Sequence, residues 1–161
     1  EILFEYNNLH PSEMEKRTEI LKHFLGATGK QLLIEQPFRC DYGYNIRVGE
    51  NFYANMGCTI LDEALVTFGD NVLLAPNVSI YTAGHAVNVA QRIVGWEYAY
   101  PVTVGHNVWI GGNVVILPGV SIGDNSIIGG GSVVTKDIPA NVIAVGNPCK
   151  VIRELTEDEL K

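Results

Sequence analysis

A six-residue hydrophobic pattern organises the C-terminal half of the chain. Residues 104–139 form six consecutive units that each open on an aliphatic residue: VGHNVW, IGGNVV, ILPGVS, IGDNSI, IGGGSV and VTKDIP. Glycine is usual at the second position of each unit, and Asp, Asn or Gly are frequent at the third and fourth positions. A helix would need apolar residues at 3.6 spacing, and each glycine would cost it about 1 kcal/mol. The pattern therefore predicts short strands separated by tight turns.

Three such units predict one triangular coil of a parallel β-solenoid, so residues eighteen apart should stack in neighbouring coils. The predicted stacks are Val104 over Ile122, Ile110 over Ile128, and Ile116 over Val134. An earlier array over residues 48–80 adds further coils. Its step from Ile60 to Phe68 is eight residues, which predicts a two-residue bulge. We assign residues 31–150 to the solenoid domain.

The regular spacing is interrupted after Ile80. Counted in sixes, the next inward positions would be Ala86, Arg92 and Tyr98. A buried guanidinium needs a full set of polar partners, which a narrow apolar core does not offer. We therefore predict that residues from about 81 to 101 leave the coil as a loop. Long loops in otherwise regular domains are usually functional or disordered.

The two ends of the chain predict helices. In residues 1–30, Ser12 and Glu15 have the spacing of a capping box. An apolar stripe then ends at Gly26, formed by Ile20, Leu21, Phe24 and Leu25. This predicts an amphipathic helix of about three to four turns within a helical cap that closes the solenoid. Residues 151–161 are charged and periodic, which predicts a short C-terminal helix.

Composition indicates one acidic domain. The chain has 161 residues, 47% of them hydrophobic, and a net charge of -7. The negative charge argues against nucleic acid and anionic membranes as partners. No apolar run approaches a membrane span and no signal peptide is recognisable, so we expect a cytoplasmic protein. Cys40 and Cys58 are eighteen apart and could stack, but free thiols are favoured for these two and for Cys149.

One histidine has a position that suggests chemistry. His10 and His23 fall in the helical cap, and His106 occupies a turn position of the repeat. His85 instead lies where the solenoid wall gives way to the predicted loop. An isolated loop histidine is most often a solvated side chain. The break in the repeat at this position favours a catalytic role.

Several motifs together carry a family resemblance. They are H10-P-S-E, C40-D-Y-G-Y-N-I, F52-Y-A-N55, T82-A-G-H85, N107-V-W-I-G-G, S132-V-V-T-K-D and G146-N-P-C-K. Over about residues 3 to 155 the chain resembles the galactoside and maltose O-acetyltransferases of the hexapeptide-repeat acyltransferase family. The resemblance implies an all-β fold, a left-handed parallel β-helix, assembled as a homotrimer. It also implies transfer of acetyl from acetyl-CoA to a sugar hydroxyl, with no metal required.

The resemblance implies roles for the acceptor side of the site. A sugar hydroxyl is a poor nucleophile and needs a base, and histidine titrates near neutral pH. His85 is the implied general base, with direct transfer in a ternary complex. The implied acceptor ligands are Asp41, Asn55 and Glu63, with Tyr53 and Asp62 as neighbours. The galactoside enzymes favour Asp at position 63, so the sugar preference is left open.

The resemblance also implies a coenzyme A site in the C-terminal part. Glycine allows close approach to the pantetheine arm, and arginine grips phosphate with paired donors. The implied residues are Gly112 and Gly130 on the pantetheine, Thr135 and Lys136 toward the nucleotide, Lys150 and Arg153 near its phosphates, and Trp109 near cofactor and substrate.

Two other classes of function share a solenoid of this kind. A metal lyase of the γ-carbonic anhydrase type needs three histidine ligands, and His85 and His106 have no closely spaced third partner. A non-enzymatic trimeric scaffold would keep the repeat but has no use for His85 together with Asn55. An acyltransferase uses all of these features.

Overall fold

The computed structural model describes all 161 residues of the chain. Its helices are α1 (Ile2–Asn8), α2 (Met14–Phe24) and α3 (Val89–Ile93). Its strands are β1 (Leu32–Ile34), β2 (Arg39–Cys40), β3 (Ile46–Arg47), β4 (Phe52–Ala54), β5 (Thr59–Leu61), β6 (Val66–Phe68), β7 (Leu73–Leu74), β8 (Ser79–Tyr81), β9 (Ala83–His85), β10 (Glu97–Ala99), β11 (Val102–Val104), β12 (Trp109–Ile110), β13 (Val115–Ile116), β14 (Ser121–Ile122), β15 (Ile127–Ile128), β16 (Val133–Val134), β17 (Val142–Val145) and β18 (Lys150–Glu154).

The strands form the three faces of a parallel β-solenoid. Face one has the order β1-β4-β7-β12-β15-β17-β18, face two β16-β13-β8-β5-β2, and face three β14-β11-β6-β3. The predicted eighteen-residue stacking is confirmed by the pairs Val104 with Ile122, Ile110 with Ile128, and Ile116 with Val134. The chain is thus mostly β, with a few short helices, as the repeat predicts.

Irregular spacings along the chain are absorbed at the corners. Ile60 pairs with Ile80, twenty positions later, which is one coil plus the predicted two-residue bulge. Ile80 pairs with Ile116, thirty-six positions later. The additional eighteen residues leave the coil as the predicted loop, so the core register resumes undisturbed.

Inward side chains of the three faces form one core. It contains 31 buried hydrophobic residues, including the first position of each repeat unit. Near the base of the solenoid the rings of Phe52 and Phe68 pack with centroids 4.9 Å apart. Farther along, smaller residues such as Val104 and Ile122 fill the cross-section. The apolar period of six therefore specifies which side chains face inward.

The polar turn positions have a geometric cause. A Cβ on Gly69 would lie 2.8 Å from the backbone carbon of Gly105, so glycine is needed for the close approach of two coils. Asn71 and Asn107 both have a φ of 57°, in the left-handed region that asparagine tolerates better than most residues. Their amide side chains hydrogen-bond from coil to coil in one ladder made of Asn51, Asn71, Asn107, Asn125 and Asn141.

The N-terminal cap has two helices where the pattern predicted one. The predicted stripe is present in α2, where Leu21 and Leu25 are buried. The predicted capping box is wrong, because α2 begins after Glu13 and has no side-chain cap. Glu13 instead accepts a hydrogen bond from the His10 backbone N–H at 3.0 Å, and Ser12 Oγ lies 2.8 Å from His10 Nδ1.

The predicted C-terminal helix over residues 151–161 is wrong. Residues Lys150–Glu154 form β18, which pairs antiparallel with β17 on face one. The edge of β17 would otherwise expose unpaired backbone groups, and β18 satisfies them. The following residues 157–160 form a turn. Pairing with a sheet edge thus overrides the local helical pattern.

Two further findings bear on the composition. The three cysteines are free, and Cys40 stacks on Ile60 rather than on Cys58. None of the helices is both long and apolar enough to cross a membrane. The cytoplasmic location stays a prediction.

Candidate active site

The extruded loop is a hairpin that carries His85. Strands β9 and β10 pair antiparallel, with His85 directly opposite Glu97. His85 Nε2 lies 3.4 Å from Glu97 Oε1, and both side chains are more than half exposed. No sequence pattern singles out Glu97, because its pairing with His85 depends on the hairpin register. A histidine facing a carboxylate has the arrangement of an oriented base.

His85 shares a cleft with Glu63. The cleft is lined by Leu61, Glu63, Tyr81, Ala83, Gly84, His85 and Glu97. Glu63 follows β5 by two residues and lies beside Thr82, whose Oγ1 is 3.3 Å from Glu63 Oε2. The end of face two therefore places a carboxylate next to the predicted base.

Asp62 lies beneath this cleft and is fully buried. Its Oδ1 accepts hydrogen bonds from the backbone N–H groups of Asp41 and Tyr42 at 3.0 and 2.9 Å. Its Oδ2 accepts one from Gly43 at 2.8 Å. These bonds fix the segment 41–43, so Asp62 orients the neighbourhood of the cleft and presents no free oxygen to it.

Asp41 and Glu63 form a carboxyl pair whose charges interact. Partial burial, followed by the charge and hydrogen bond of Glu63 and then the charge of Asp62, raises the pKa of Asp41 to about 6. Asp41 adopts this position because Asp62 holds its backbone. Two of the predicted acceptor ligands are therefore in contact with each other.

Cys40 precedes this pair but has no nucleophilic character. Burial, with smaller contributions from the charges of Asp62 and Asp41, raises the pKa of the Cys40 thiol to about 12. Burial likewise raises the pKa of Cys58 to about 11. The thiolate is the reactive form of cysteine, so neither side chain is an activated nucleophile at neutral pH.

The predicted site residues lie at two different corners of the triangle. The two–three corner, where face two passes into face three, carries Asp41, Glu63, His85, Thr135 and Lys136. The one–two corner, where face one passes into face two, carries Asn55, Gly112 and Gly130. The strands of face two run between them, at about 3.3 Å per residue. Asn55 and His85 are thus separated by the width of a face within one chain.

The one–two corner becomes a narrow backbone shelf in the later coils. Gly131 N–H donates to Gly112 O at 2.8 Å, and a Cβ on Gly130 would lie 3.2 Å from the same oxygen. Beside this shelf, Trp109 stands outward on face one with half of its surface exposed. It stacks in register between Leu73 and Ile127. A flat apolar ring next to bare backbone suits an extended ligand arm.

The remaining candidates are spread along the solenoid. Lys150 and Arg153 lie on β18, whereas Lys136 follows β16 at the two–three corner. Tyr53 lines a depression between face one and the helical cap, together with Lys30 and Thr18. No group of three His, Cys, Asp or Glu side chains in the chain is arranged to hold a metal ion.

The fold and site define a hexapeptide-repeat acyltransferase. A family model described as bacterial transferase hexapeptide matches residues 101–136, and one described as maltose acetyltransferase hexapeptide capping motif matches residues 1–29. The galactoside O-acetyltransferase of Escherichia coli K12 is 53% identical over 97% of this chain and 77% of its own length. A putative acetyltransferase of Saccharomyces cerevisiae, YJL218W, is 57% identical over 98% of this chain and 80% of its own length.

Solved structures agree with these relatives. A galactoside acetyltransferase in complex with coenzyme A superposes with a TM-score of 0.96 at 52% identity, covering 99% of this chain and 80% of that one. A maltose O-acetyltransferase from Clostridium difficile 630 gives a TM-score of 0.96 at 56% identity, with coverages of 97% and 83%. The chain therefore belongs to the hexapeptide-repeat O-acetyltransferase family, as its motifs predict.

Proposed function

We propose that this enzyme transfers the acetyl group of acetyl-CoA to a hydroxyl of a sugar acceptor of the galactoside, maltose or glucose type. The observation that carries the proposal is His85, paired with Glu97 in a cleft beside the Asp41–Glu63 pair. Its support lies in the relatives, which are named for galactoside and maltose acetyl transfer and include a coenzyme A complex.

In this proposal His85 is the general base. It takes the proton of the acceptor hydroxyl while the oxygen attacks the thioester carbonyl. The new carbon–oxygen bond forms as the carbon–sulfur bond breaks, and the proton passes from His85 to the sulfur of coenzyme A. Glu97 stabilises the imidazolium during this transfer, because its carboxylate already lies 3.4 Å from the ring.

Transfer proceeds directly between the two bound substrates. A covalent intermediate would need an activated nucleophile. The thiol nearest the cleft, Cys40, is held neutral by its raised pKa of about 12. Direct transfer therefore requires only the base His85. The acceptor and acetyl-CoA must be bound to the enzyme at the same time.

The complete site is shared between subunits of a homotrimer. Acceptor residues Asp41 and Glu63 lie with His85 at the two–three corner, whereas Asn55 lies at the one–two corner with the glycine shelf. A neighbour that brings its one–two corner to this cleft would supply Asn55 to the acceptor. In a closed cyclic assembly, every interface joins one surface of a subunit to a different surface of its neighbour, and all interfaces are equivalent.

Coenzyme A lies along this shared cleft. Gly112 and Gly130 offer backbone to the pantetheine arm, with Trp109 packed alongside. Thr135 and Lys136 face the nucleotide, and Lys150 and Arg153 face its phosphates. The chain needs such local cations because its net charge of -7 opposes an anionic cofactor.

Replacement of the base tests the proposal. His85→Ala should keep the fold and acetyl-CoA affinity but lower kcat by about 100-fold or more. Glu97→Gln, which leaves the imidazole without its carboxylate, should lower kcat by a smaller factor. The assay is release of coenzyme A thiol with a panel of sugars, and circular dichroism checks folding. A His85→Ala enzyme with near wild-type kcat would remove His85 from the mechanism.

A further inference from the structure

The C-terminal turn holds one of the proposed cofactor ligands. We call Arg153, Thr156 and Glu159 the C-terminal clasp. Arg153 Nη1 and Nη2 each donate to one carboxylate oxygen of Glu159, both at 2.7 Å. Nη1 also donates to the backbone oxygen of Glu154 at 3.0 Å. The Glu159 carboxylate thus forms a bidentate pair with the outer end of the guanidinium.

The remaining donors of Arg153 lie along one edge. A guanidinium has five N–H groups in a planar fork, and the clasp uses three of them. The unused N–H groups belong to Nε and Nη2, which share the side edge of the plane. Because the group is planar and rigid, fixing its outer end also fixes the direction of this edge. Such an edge can bind two oxygens of one phosphate.

Glu159 is itself held in place. Its Oε2 accepts hydrogen bonds from Thr156 N–H at 2.8 Å and from Thr156 Oγ1 at 3.1 Å. The preceding residue, Leu155, donates its N–H to Asn141 O at 2.8 Å, at the end of the asparagine ladder. The hydrogen bond from Arg153, and next that from the Thr156 backbone, lower the pKa of Glu159 to about 2, so the carboxylate is charged at neutral pH.

We propose that Glu159 is a positioning residue for the cofactor, which orients Arg153 so that its free Nε–Nη2 edge grips a phosphate of coenzyme A. The inference rests on the proposed function, in which Arg153 faces the cofactor phosphates. Two effects of Glu159 oppose each other. The negative charge of Glu159 repels phosphate. Its hydrogen bonds to Arg153, however, already hold that flexible side chain in place, which removes the entropy cost of ordering it when phosphate binds. In this chain the ordering effect prevails.

The test compares Glu159→Gln with Glu157→Gln. Both variants remove one negative charge from the same turn, but the exposed Glu157 takes no part in the clasp contacts. Isothermal titration is done with acetyl-CoA and with S-acetylpantetheine, which lacks the phosphates. Glu159→Gln should weaken acetyl-CoA binding about fivefold relative to Glu157→Gln, on the scale of one charge-assisted contact at an exposed site. It should leave S-acetylpantetheine affinity unchanged.

A double-mutant cycle tests the positioning role of Glu159 separately from the phosphate-binding role of Arg153. In an Arg153→Ala background, Glu159→Gln should no longer weaken acetyl-CoA binding relative to Glu157→Gln, because only the loss of one negative charge remains. Binding by Glu159→Gln that equals or exceeds that of Glu157→Gln would overturn the inference, and so would an equal loss of S-acetylpantetheine affinity. If Arg153→Ala alone leaves acetyl-CoA affinity intact, the phosphate role of Arg153 in the proposed function fails as well. If only Arg153→Ala weakens binding, the inference fails and the proposed function stands.

Discussion

At the residue scale, the acceptor side of the cleft concentrates negative charge. Asp62 is compensated by three backbone N–H groups. Asp41 and Glu63 have no basic partner among the ion pairs of the chain, so the charge of Glu63 favours the protonated form of Asp41. This arrangement costs folding free energy at neutral pH, because Asp41 must ionise there while it is partly buried and next to other negative charges. Its cost should therefore be visible in the pH dependence of stability.

The raised pKa of Asp41 gives this dependence a definite sign. Because the folded value is about 6 against an ordinary 3.8, the contribution of Asp41 is most favourable below pH 3.8 and is lost as pH rises through 6. Asp41→Asn should therefore gain free energy of unfolding over wild type between pH 5 and pH 8. The gain should be under about 1 kcal/mol because the side chain is largely exposed.

Urea denaturation at these two pH values measures the effect. Glu63→Gln removes the charge that faces Asp41, so it should flatten the same pH dependence. A difference between Asp41→Asn and wild type that stays constant from pH 5 to pH 8 would contradict the assignment.

Single candidate residues could be predicted from the sequence only where their position relative to the repeat suggested a chemical role. His85 was identifiable because it lies where the six-residue period breaks. Asp62 was expected as a neighbour of the acceptor ligands, but its burial under the 41–43 segment is a matter of three-dimensional packing. Glu97 and Glu159 were missed because one depends on hairpin register and the other on the fold-back of the C-terminal turn. No local sequence pattern predicts the pairing of Glu97 with His85 or of Glu159 with Arg153.

At the scale of elements, the repeat specifies its own geometry. Asparagine supplies the left-handed turn, glycine allows coil-to-coil approach, and the aliphatic first position fills the core. Those requirements recur in every coil, which is why the stacking and the extruded loop were predictable. The C-terminal strand was not, since β18 forms to cover the edge of β17.

One buried arginine joins the helical cap to the solenoid, in addition to the packing of the cap against the core. Arg17, on α2, has a side chain that is 4% exposed. Its Nη2 donates to Ile34 O at 2.9 Å and to Glu35 Oε2 at 3.0 Å, on and next to the first strand. The Tyr6 hydroxyl of α1 donates to the same Ile34 oxygen, and the guanidinium lies 5.8 Å from the centre of its ring. Both helices therefore meet the first coil at this point.

Loss of this arginine should destabilise the whole cap. Arg17→Ala should lower the free energy of unfolding by about 3 kcal/mol, because it leaves the partly buried Glu35 carboxylate unpaired and removes one of the two donors to the Ile34 carbonyl. Lys16→Ala is the control, since Lys16 pairs with Glu5 at 3.0 Å on the surface and should contribute under about 1 kcal/mol. Urea denaturation at one protomer concentration compares the two. Equal losses would show that the cap does not depend on Arg17.

At the scale of the whole molecule, the proposed site residues lie at two separate corners of the solenoid. His85 and Glu63 lie at one corner, and Asn55 with the glycine shelf lies at another. No motion of side chains can bridge a face of the solenoid, because its core is packed and its strands are fixed in register. Within the proposed function a second copy must therefore complete each site. Light scattering should give a mass of three times 17.6 kDa.

Subunit mixing tests the shared site directly. His85→Ala and Asn55→Ala, each nearly inactive alone at low acceptor concentration, are unfolded, mixed in equal amounts and refolded together. If each site takes His85 from one subunit and Asn55 from its neighbour, random assembly should leave about a quarter of the sites intact and restore that share of activity. As a matched control, His85→Ala mixed with Glu63→Ala should regain nothing, because those two residues act from the same corner. Activity of the first mixture no greater than the average of its two parents would contradict a site that takes His85 from one subunit and Asn55 from its neighbour.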